Sequence, residues 1–176
     1  MHLRQLTDKL ERMDRRIEEL SQYETYKEPV DHFTCFIGIK RPTALAVISE
    51  VGDFKRFATA QQFASYLGLT PGEDSSGEGQ KRLGITKAGN THVRKLLIEA
   101  AQSYGRGKIG YKSVALKARQ QGNSPHVIAY ADKANERLRR KYYSMIFRGK
   151  RANVAKTAVA RELACFLWGM MNNCIY

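Results

Sequence analysis

The 176-residue sequence is poor in the residues that build metal centres and disulfide frameworks. Its three cysteines, Cys35, Cys165 and Cys174, are odd in number and show no CxxC spacing. That excludes a zinc ribbon or a disulfide scaffold and points to reduced thiols. The four histidines, His2, His32, His92 and His126, lie scattered with no HxxxH or HExxH arrangement, so no zinc site is expected. No apolar run approaches the roughly 18 residues a membrane span requires, and the opening MHLRQLTDKLERMD holds no signal-peptide core. The expectations are a cytoplasmic location and no membrane partner. Gly107-Lys108 and Gly149-Lys150 lack the upstream glycine and following Ser/Thr of a P-loop.

Negative charge is scarcest of all, and only in one half. Residues 79–176 hold 20 basic and 4 acidic side chains (Glu99, Asp132, Glu136, Glu162), net +16. Residues 1–30 are net −1 and residues 31–78 net −2, so the whole formal +13 originates in the C-terminal 98 residues. A field of one sign steers phosphates and releases their counterions on binding, which makes a nucleic acid the expected partner. A carboxylate pair could come only from Asp53, Glu73, Asp74 and Glu78, three of them on one loop. A two-metal nuclease draws its ligands from separate sheet elements, so no metal and no resident cofactor is expected in this chain.

What is present is helical. Leu3, Leu6, Leu10, Met13, Ile17 and Leu20 recur at spacings of 3 and 4, the a/d seam of a coiled coil. About three heptads are marginal alone, so the seam must pack on a partner chain or on its own protein. The pattern breaks after Glu28-Pro29, which divides the chain into a coiled-coil helix, 1–28, and a helical domain, 29–176. An apolar stretch from Phe33 leads into Gly38-Ile39-Lys40-Arg41-Pro42, then a helix capped by Thr43 and ended by Gly52, then one from Thr59 to Gly68. Short helices joined by a Gly-bearing basic turn resemble a helix-hairpin-helix unit, whose backbone N–H groups grip a phosphate without reading sequence. Lys40 and Arg41 are the candidate phosphate contacts there.

Residues 68–89 hold six glycines and one proline with no helical period, a long irregular stretch of the kind that carries function. The only strand signal is a short hairpin around 80–86. Asn90 reads as the N-cap of an amphipathic helix with Val93, Leu96, Leu97, Ala100, Ala101 and Tyr104 on one face. Further helices are expected at 113–121, from Ser124-Pro125 to about Phe147, and at 153–171 with Val159, Leu163, Phe166 and Met170 inward. The fold class is mainly α. Within the loop, Asp74-Ser75-Ser76-Gly77-Glu78-Gly79-Gln80-Lys81-Arg82 places a serine on a glycine-flanked turn beside two cations. A Ser-Gly pair alone is commonly a solvated turn. Lys81, Arg82, Lys87 and Arg94 flank it as candidate nucleic-acid contacts, and Arg137–Lys141 with Tyr142 and Tyr143 form a further basic, aromatic-bearing segment.

An ordered set of residues carries a resemblance. Ile37-Gly38-Ile39, Thr43-Ala44, Glu50-Val51-Gly52-Asp53, Arg56-Phe57, Phe63 through Pro71, Ser76-Gly77, Lys87-Ala88-Gly89-Asn90, Arg94, Leu97 and Ala100-Ala101 resemble the C-terminal transposase domain of a bacterial insertion-sequence family related to the Piv-type DNA invertases. Members of that family join a RuvC-like DEDD nuclease domain, a coiled coil and this domain. The resemblance implies a serine nucleophile at Ser76, with Ser75 the less favoured neighbour, and transesterification of a DNA phosphodiester through a phosphoserine link. It also implies Mg2+ held by the nuclease domain, a structured guide RNA, and homo-oligomers assembled through the coiled coil. This chain opens directly on the heptads, so the expectation is that alone it binds nucleic acid without cleaving it. A second reading stays open: a non-enzymatic basic helix-hairpin-helix module that binds DNA or RNA.

Overall fold

The computed structural model describes residues 2–76 and 79–175, and describes side chains at 3–72 and 84–175. Among the described residues the chain forms eight α-helices and one two-stranded sheet, as the mainly α reading expects. Helix α1 (His2–Ser21) and α2 (Glu24–Phe33) lead into a turn at 34–40 and α3 (Arg41–Val51). The helix α4 (Ala60–Tyr66) precedes strands β1 (Pro71–Ser76) and β2 (Gly79–Ile85). Four more helices follow: α5 (Thr91–Ala101), α6 (Val114–Gln120), α7 (Pro125–Phe147) and α8 (Ala152–Met171).

Several helix starts follow from local chemistry. The side chains of Thr59, Asn90, Ser113 and Ser124 each accept a hydrogen bond from the backbone N–H three residues on, satisfying one orphan donor of the first turn. Thr43 does not cap α3. That helix begins two residues earlier, with Lys40 in extended geometry as the boundary and Pro42 in the first turn, where its missing N–H costs nothing. Gly52, at φ +68, ends it.

The core gathers around α8, which packs against α4, α5 and α7. Its inward residues Ala155, Val159, Ala160, Leu163, Ala164, Leu167 and Met170 are buried, and the alanines let neighbouring helices approach closely. Of the helix residues expected inward, Val159, Leu163 and Met170 are buried and Phe166 is half-buried against the same cluster. A second knot is aromatic. Phe54 meets Phe33 edge-on at 5.9 Å and Phe63 at 5.2 Å, while Phe57 packs on Phe63 at 5.2 Å. Such pairs add about 0.5–1.5 kcal/mol each beyond burial. The Trp168 indole N–H donates to the Phe57 carbonyl at 3.0 Å, tying α8 to this knot.

Helix α1 contributes little of its length to this core. Ile17 and Leu20 pack against it, whereas Leu3, Leu6, Leu10 and Met13 are exposed. The seam therefore splits: its end is intramolecular and its first two heptads are open to solvent.

Candidate nucleic-acid interface

The irregular stretch of the sequence forms an antiparallel hairpin. Register pairs Glu73 with Arg82, Asp74 with Lys81, Ser75 with Gln80 and Ser76 with Gly79, with an irregularity between Pro71 and Glu73. Ser76 thus ends β1 at the distal end of the ladder. The side chains of Ser76, Lys81 and Arg82 lie outside the described residues, as do Gly77 and Glu78. The hairpin is longer than the one expected at 80–86, because β1 is written in Gly, Asp and Ser, residues with low strand propensity.

The foot of the hairpin is locked. The Thr86 N–H donates to the Thr70 carbonyl at 2.9 Å, Lys87 N–H to Gly68 at 3.1 Å and Asn90 N–H to Tyr66 at 3.0 Å. Gly68 is required there: its φ is +66, and a Cβ would stand 2.1 Å from the Ala88 carbonyl oxygen. Lys87 has a left-handed backbone too, at φ +56, and its side chain is exposed. A non-glycine residue there costs on the order of 1 kcal/mol, held in place by the ladder.

Arg94 departs from the expected phosphate contact. It is only 8% exposed, and its guanidinium donates to the Leu67 carbonyl at 2.9 Å and to the Thr91 hydroxyl at 3.2 Å. It braces the hairpin foot from inside, because position 94 falls one residue from Val93 on the inward arc of α5 rather than on its solvent face. Asn90 works beside it, capping α5 through Val93 N–H at 2.9 Å and donating to Glu50 at 2.9 Å and to the Tyr66 hydroxyl at 3.2 Å. Against the hairpin foot lies a groove of about 420 Å3 walled by Leu69, Pro71, Ile85 and Val154 and lined also by Lys87, Lys141 and Arg161.

The second candidate element, the Gly38–Arg41 turn, joins α2 to α3. Gly38, at φ +82, sits where a Cβ would fall 2.2 Å from the Ala100 carbonyl oxygen, so the turn lies directly on α5. Lys40 is exposed and forms no ion pair among the described residues. Arg41 is committed differently: it lies 3.2 Å from Asp31 and 3.4 Å from Glu18, which offset much of its charge. A buried polar network holds the turn from behind. Asn135 accepts from Ile37 N–H and donates to the Cys35 carbonyl, and Gln120 also donates to that carbonyl at 3.2 Å. Sequence reasoning missed Asn135; its place at i+4 from Ala131, on the buried face of α7, was the available signal.

The basic segment of α7 is partly neutralised. Arg137 and Lys141 both pair with Glu162, Arg140 pairs with Glu136, and Lys112 pairs with Asp132. Burial would raise the Glu162 carboxyl, but hydrogen bonds from Lys141 and Arg137 outweigh it and hold the group below its ordinary value. Tyr142 packs against the core, and the Tyr143 hydroxyl donates to the Gly107 carbonyl at 2.8 Å. The three thiols are free. No three His, Cys, Asp or Glu side chains cluster among the described residues, and the side chains of the candidate carboxylates Glu73, Asp74 and Glu78 lie outside them. No described helix is long and apolar enough to cross a membrane.

These elements coincide with a recognised sequence region. The sequence model described as "Transposase IS116/IS110/IS902 family" matches residues 31–111, from the end of α2 through the hairpin to the loop after α5. The putative transposase y4qE of Sinorhizobium fredii is 44% identical over 133 residues, covering 76% of this chain and 34% of that protein. A probable family 20 transposase of Pseudomonas aeruginosa is 31% identical over 175 residues, covering 97% of this chain and 44% of that protein. The transposase for insertion sequence element IS1111A of Coxiella burnetii is 34% identical over 121 residues, 66% of this chain and 33% of that protein. The chain thus spans a third to less than half of the length of these curated relatives. The turn, the hairpin and its brace thus all lie within residues 31–111, the stretch that matches the IS116/IS110/IS902 transposase family model.

Proposed function

We propose that this chain is the serine-bearing, nucleic-acid-binding part of an insertion-sequence transposase that acts in DNA transposition. The observation that carries the reading is the hairpin: within the family-matched region, Ser76 stands at the distal end of a ladder whose foot is locked by Gly68, Asn90 and Arg94. A nucleophile presented on a braced projection can be positioned against a phosphodiester with little loss of freedom at the moment of attack. In the proposed step the Ser76 hydroxyl attacks the phosphorus, loses its proton, and forms a phosphoserine ester. One P–O bond to the DNA strand breaks, and the departing strand leaves with a free hydroxyl. The reverse attack by a different strand's hydroxyl regenerates serine and joins DNA without external energy.

Lys40, Lys81, Arg82 and Lys87 supply phosphate contacts in this reading, with Arg41 a weaker one because of its carboxylate neighbours. The α2–turn–α3 unit serves as a helix-hairpin-helix-like grip on backbone phosphate. In this reading the carboxylates and Mg2+ that the reaction calls for belong to a RuvC-like portion. The exposed seam of α1 makes a homo-oligomeric coiled coil, and a structured guide RNA is a second nucleic-acid partner. The place of action is the cytoplasm.

The test joins this chain to a RuvC-like domain and offers it a DNA strand that traps covalent intermediates. A serine-linked protein–DNA adduct, lost in Ser76→Ala with DNA binding retained, is the expected result. Cleavage by the 176-residue chain alone, or an adduct that survives Ser76→Ala, would overturn the reading. A chain that binds DNA but forms no adduct in that fusion would favour the non-enzymatic binding module.

A further inference from the structure

The loop between α5 and α6 is built to a degree its sequence does not suggest. Arg139, 5% exposed on α7, donates to the carbonyls of Lys108 at 2.7 Å, Arg106 at 2.8 Å and Tyr111 at 3.0 Å. The Tyr143 hydroxyl reaches the Gly107 carbonyl at 2.8 Å and Gly105 at 3.4 Å. Five carbonyls of one short loop are thus turned inward and tied to α7. Its side chains are left outward: Arg106 and Lys108 are exposed, and Tyr111 is 59% exposed. A loop held this firmly, with an aromatic ring displayed to solvent, has lost in advance the entropy that binding would otherwise cost.

This loop faces the Gly38–Arg41 turn across a cleft of about 360 Å3. Lys40, Arg106, Arg119 and Arg139 line it, with Tyr111 and Ser113, and no carboxylate does. The Nε of Arg119 donates to the Thr34 carbonyl at 3.0 Å, which aims the guanidinium, and burial lowers its proton affinity. Among the described residues Lys40, Arg106 and Arg119 form no ion pair, whereas Lys112, Arg137, Arg140 and Lys141 all do. Three of the four acidic residues of the basic half are spent on those pairs. Three cations without an ion pair among the described residues, Lys40, Arg106 and Arg119, therefore meet at this cleft. The buried Nε of Arg139 is itself without a hydrogen-bond partner.

We propose that this cleft is a binding site for an unpaired nucleic-acid strand, seating a phosphate among Lys40, Arg106 and Arg119 and stacking a base on Tyr111. A cavity with several cations, no carboxylate and one displayed aromatic ring matches the chemistry of strand binding without sequence readout. The site rests on the nucleic-acid reading given above but is separate from Ser76, and needs no covalent step.

The test measures fluorescence anisotropy of labelled oligo(dT), oligo(rU) and a duplex of equal length with the 176-residue chain. Tyr111→Ala should weaken single-strand binding by about tenfold while Tyr111→Phe stays within about twofold. Arg106→Gln should weaken it by roughly three- to tenfold and lower the salt slope by about one. Arg137→Gln, in the paired cluster, should leave it within about twofold. The preferred homopolymer, dT or rU, names the strand, and either preference over duplex upholds the site. Tighter binding of duplex, or equal losses for Arg106→Gln and Arg137→Gln, would overturn it. So would unchanged binding in Tyr111→Ala with native-like thermal unfolding. If the unaltered chain binds none of the three, the nucleic-acid reading itself falls; if only the cleft variants are silent, the Ser76 reading stands without this site.

Discussion

Asn135 and Ile37, 98 residues apart in the chain, are joined by a hydrogen bond of 2.9 Å from the Ile37 N–H to the Asn135 Oδ1. The same oxygen accepts from the Tyr104 hydroxyl at 2.8 Å, and the amide nitrogen donates to the Cys35 carbonyl at 3.1 Å. One buried side chain therefore sets the turn ahead of α3, the end of α5 and the face of α7. Its removal leaves a part-buried backbone N–H and a buried phenol without this partner. Asn135→Ala is expected to destabilise the fold by about 2–4 kcal/mol, read as a lower urea midpoint. A loss below about 1 kcal/mol would mean that water or a rearranged turn satisfies these groups.

Arg94 and Lys87 make opposite predictions although both are cations beside the hairpin. Arg94→Ala removes the donor to Leu67 and should cost about 2–3 kcal/mol in stability, with nucleic-acid affinity of the remaining folded protein nearly unchanged. Lys87→Gln should leave stability within about 0.5 kcal/mol and weaken binding severalfold, more at low salt than at high. Chemical denaturation and a salt series of binding isotherms separate the two.

The exposed seam of α1 predicts self-association. Leu6 is 48% and Leu10 62% exposed, yet both lie on the stripe that continues into buried contacts at Ile17 and Leu20. Leu10→Asp should leave the thermal midpoint of the folded domain unmoved, while sedimentation shifts from dimer to monomer. A monomeric unaltered chain at tens of micromolar would remove the coiled-coil assembly.

Alkaline pH should unfold this protein earlier than its Lys/Arg content suggests. Burial first, then the charges of Asp132 and Asp31, push the Cys35 thiol up to about 12, and burial pushes the Tyr104 phenol upward as well. Both groups keep their proton in the fold and release it more readily once unfolded. Their stabilising contribution is therefore complete below the unfolded thiol value of about 9 and declines as pH rises from there towards about 12. Denaturation at pH 7, 9 and 10.5 checks the slope, and Cys35→Ala should flatten it.

Parts of this architecture were legible in the chain because their causes are local. Thr59, Asn90, Ser113 and Ser124 cap helices through bonds that span three residues, so a sequence window contains the whole interaction. The apolar stripe of α8 and the glycine stop after α3 are similar. The hairpin was only half visible: β1 pairs by register with β2 and closes at Gly68, and neither condition is expressed in the composition of residues 71–76. The basic candidates were equally mixed. Charge at Lys87 and Arg94 reads the same in sequence, but packing against Leu67 turns one inward and leaves the other in solvent.

The sequence by itself determined that the chain is mainly α, that its positive charge lies in the C-terminal 98 residues, and that a serine stands at the border of that charge. Those properties are sums or short-range patterns, and they survive any folding. Only the tertiary structure decided which cations remain available. Glu162, Glu136 and Asp132 consume the α7 cluster and Lys112, Arg139 is spent on loop carbonyls, and Lys40, Arg106 and Arg119 are left around one cleft. The physical reason is distance: an ion pair forms or fails within a few ångströms, and partners such as Lys112 and Asp132 or Arg137 and Glu162 reach that separation only when the chain has folded.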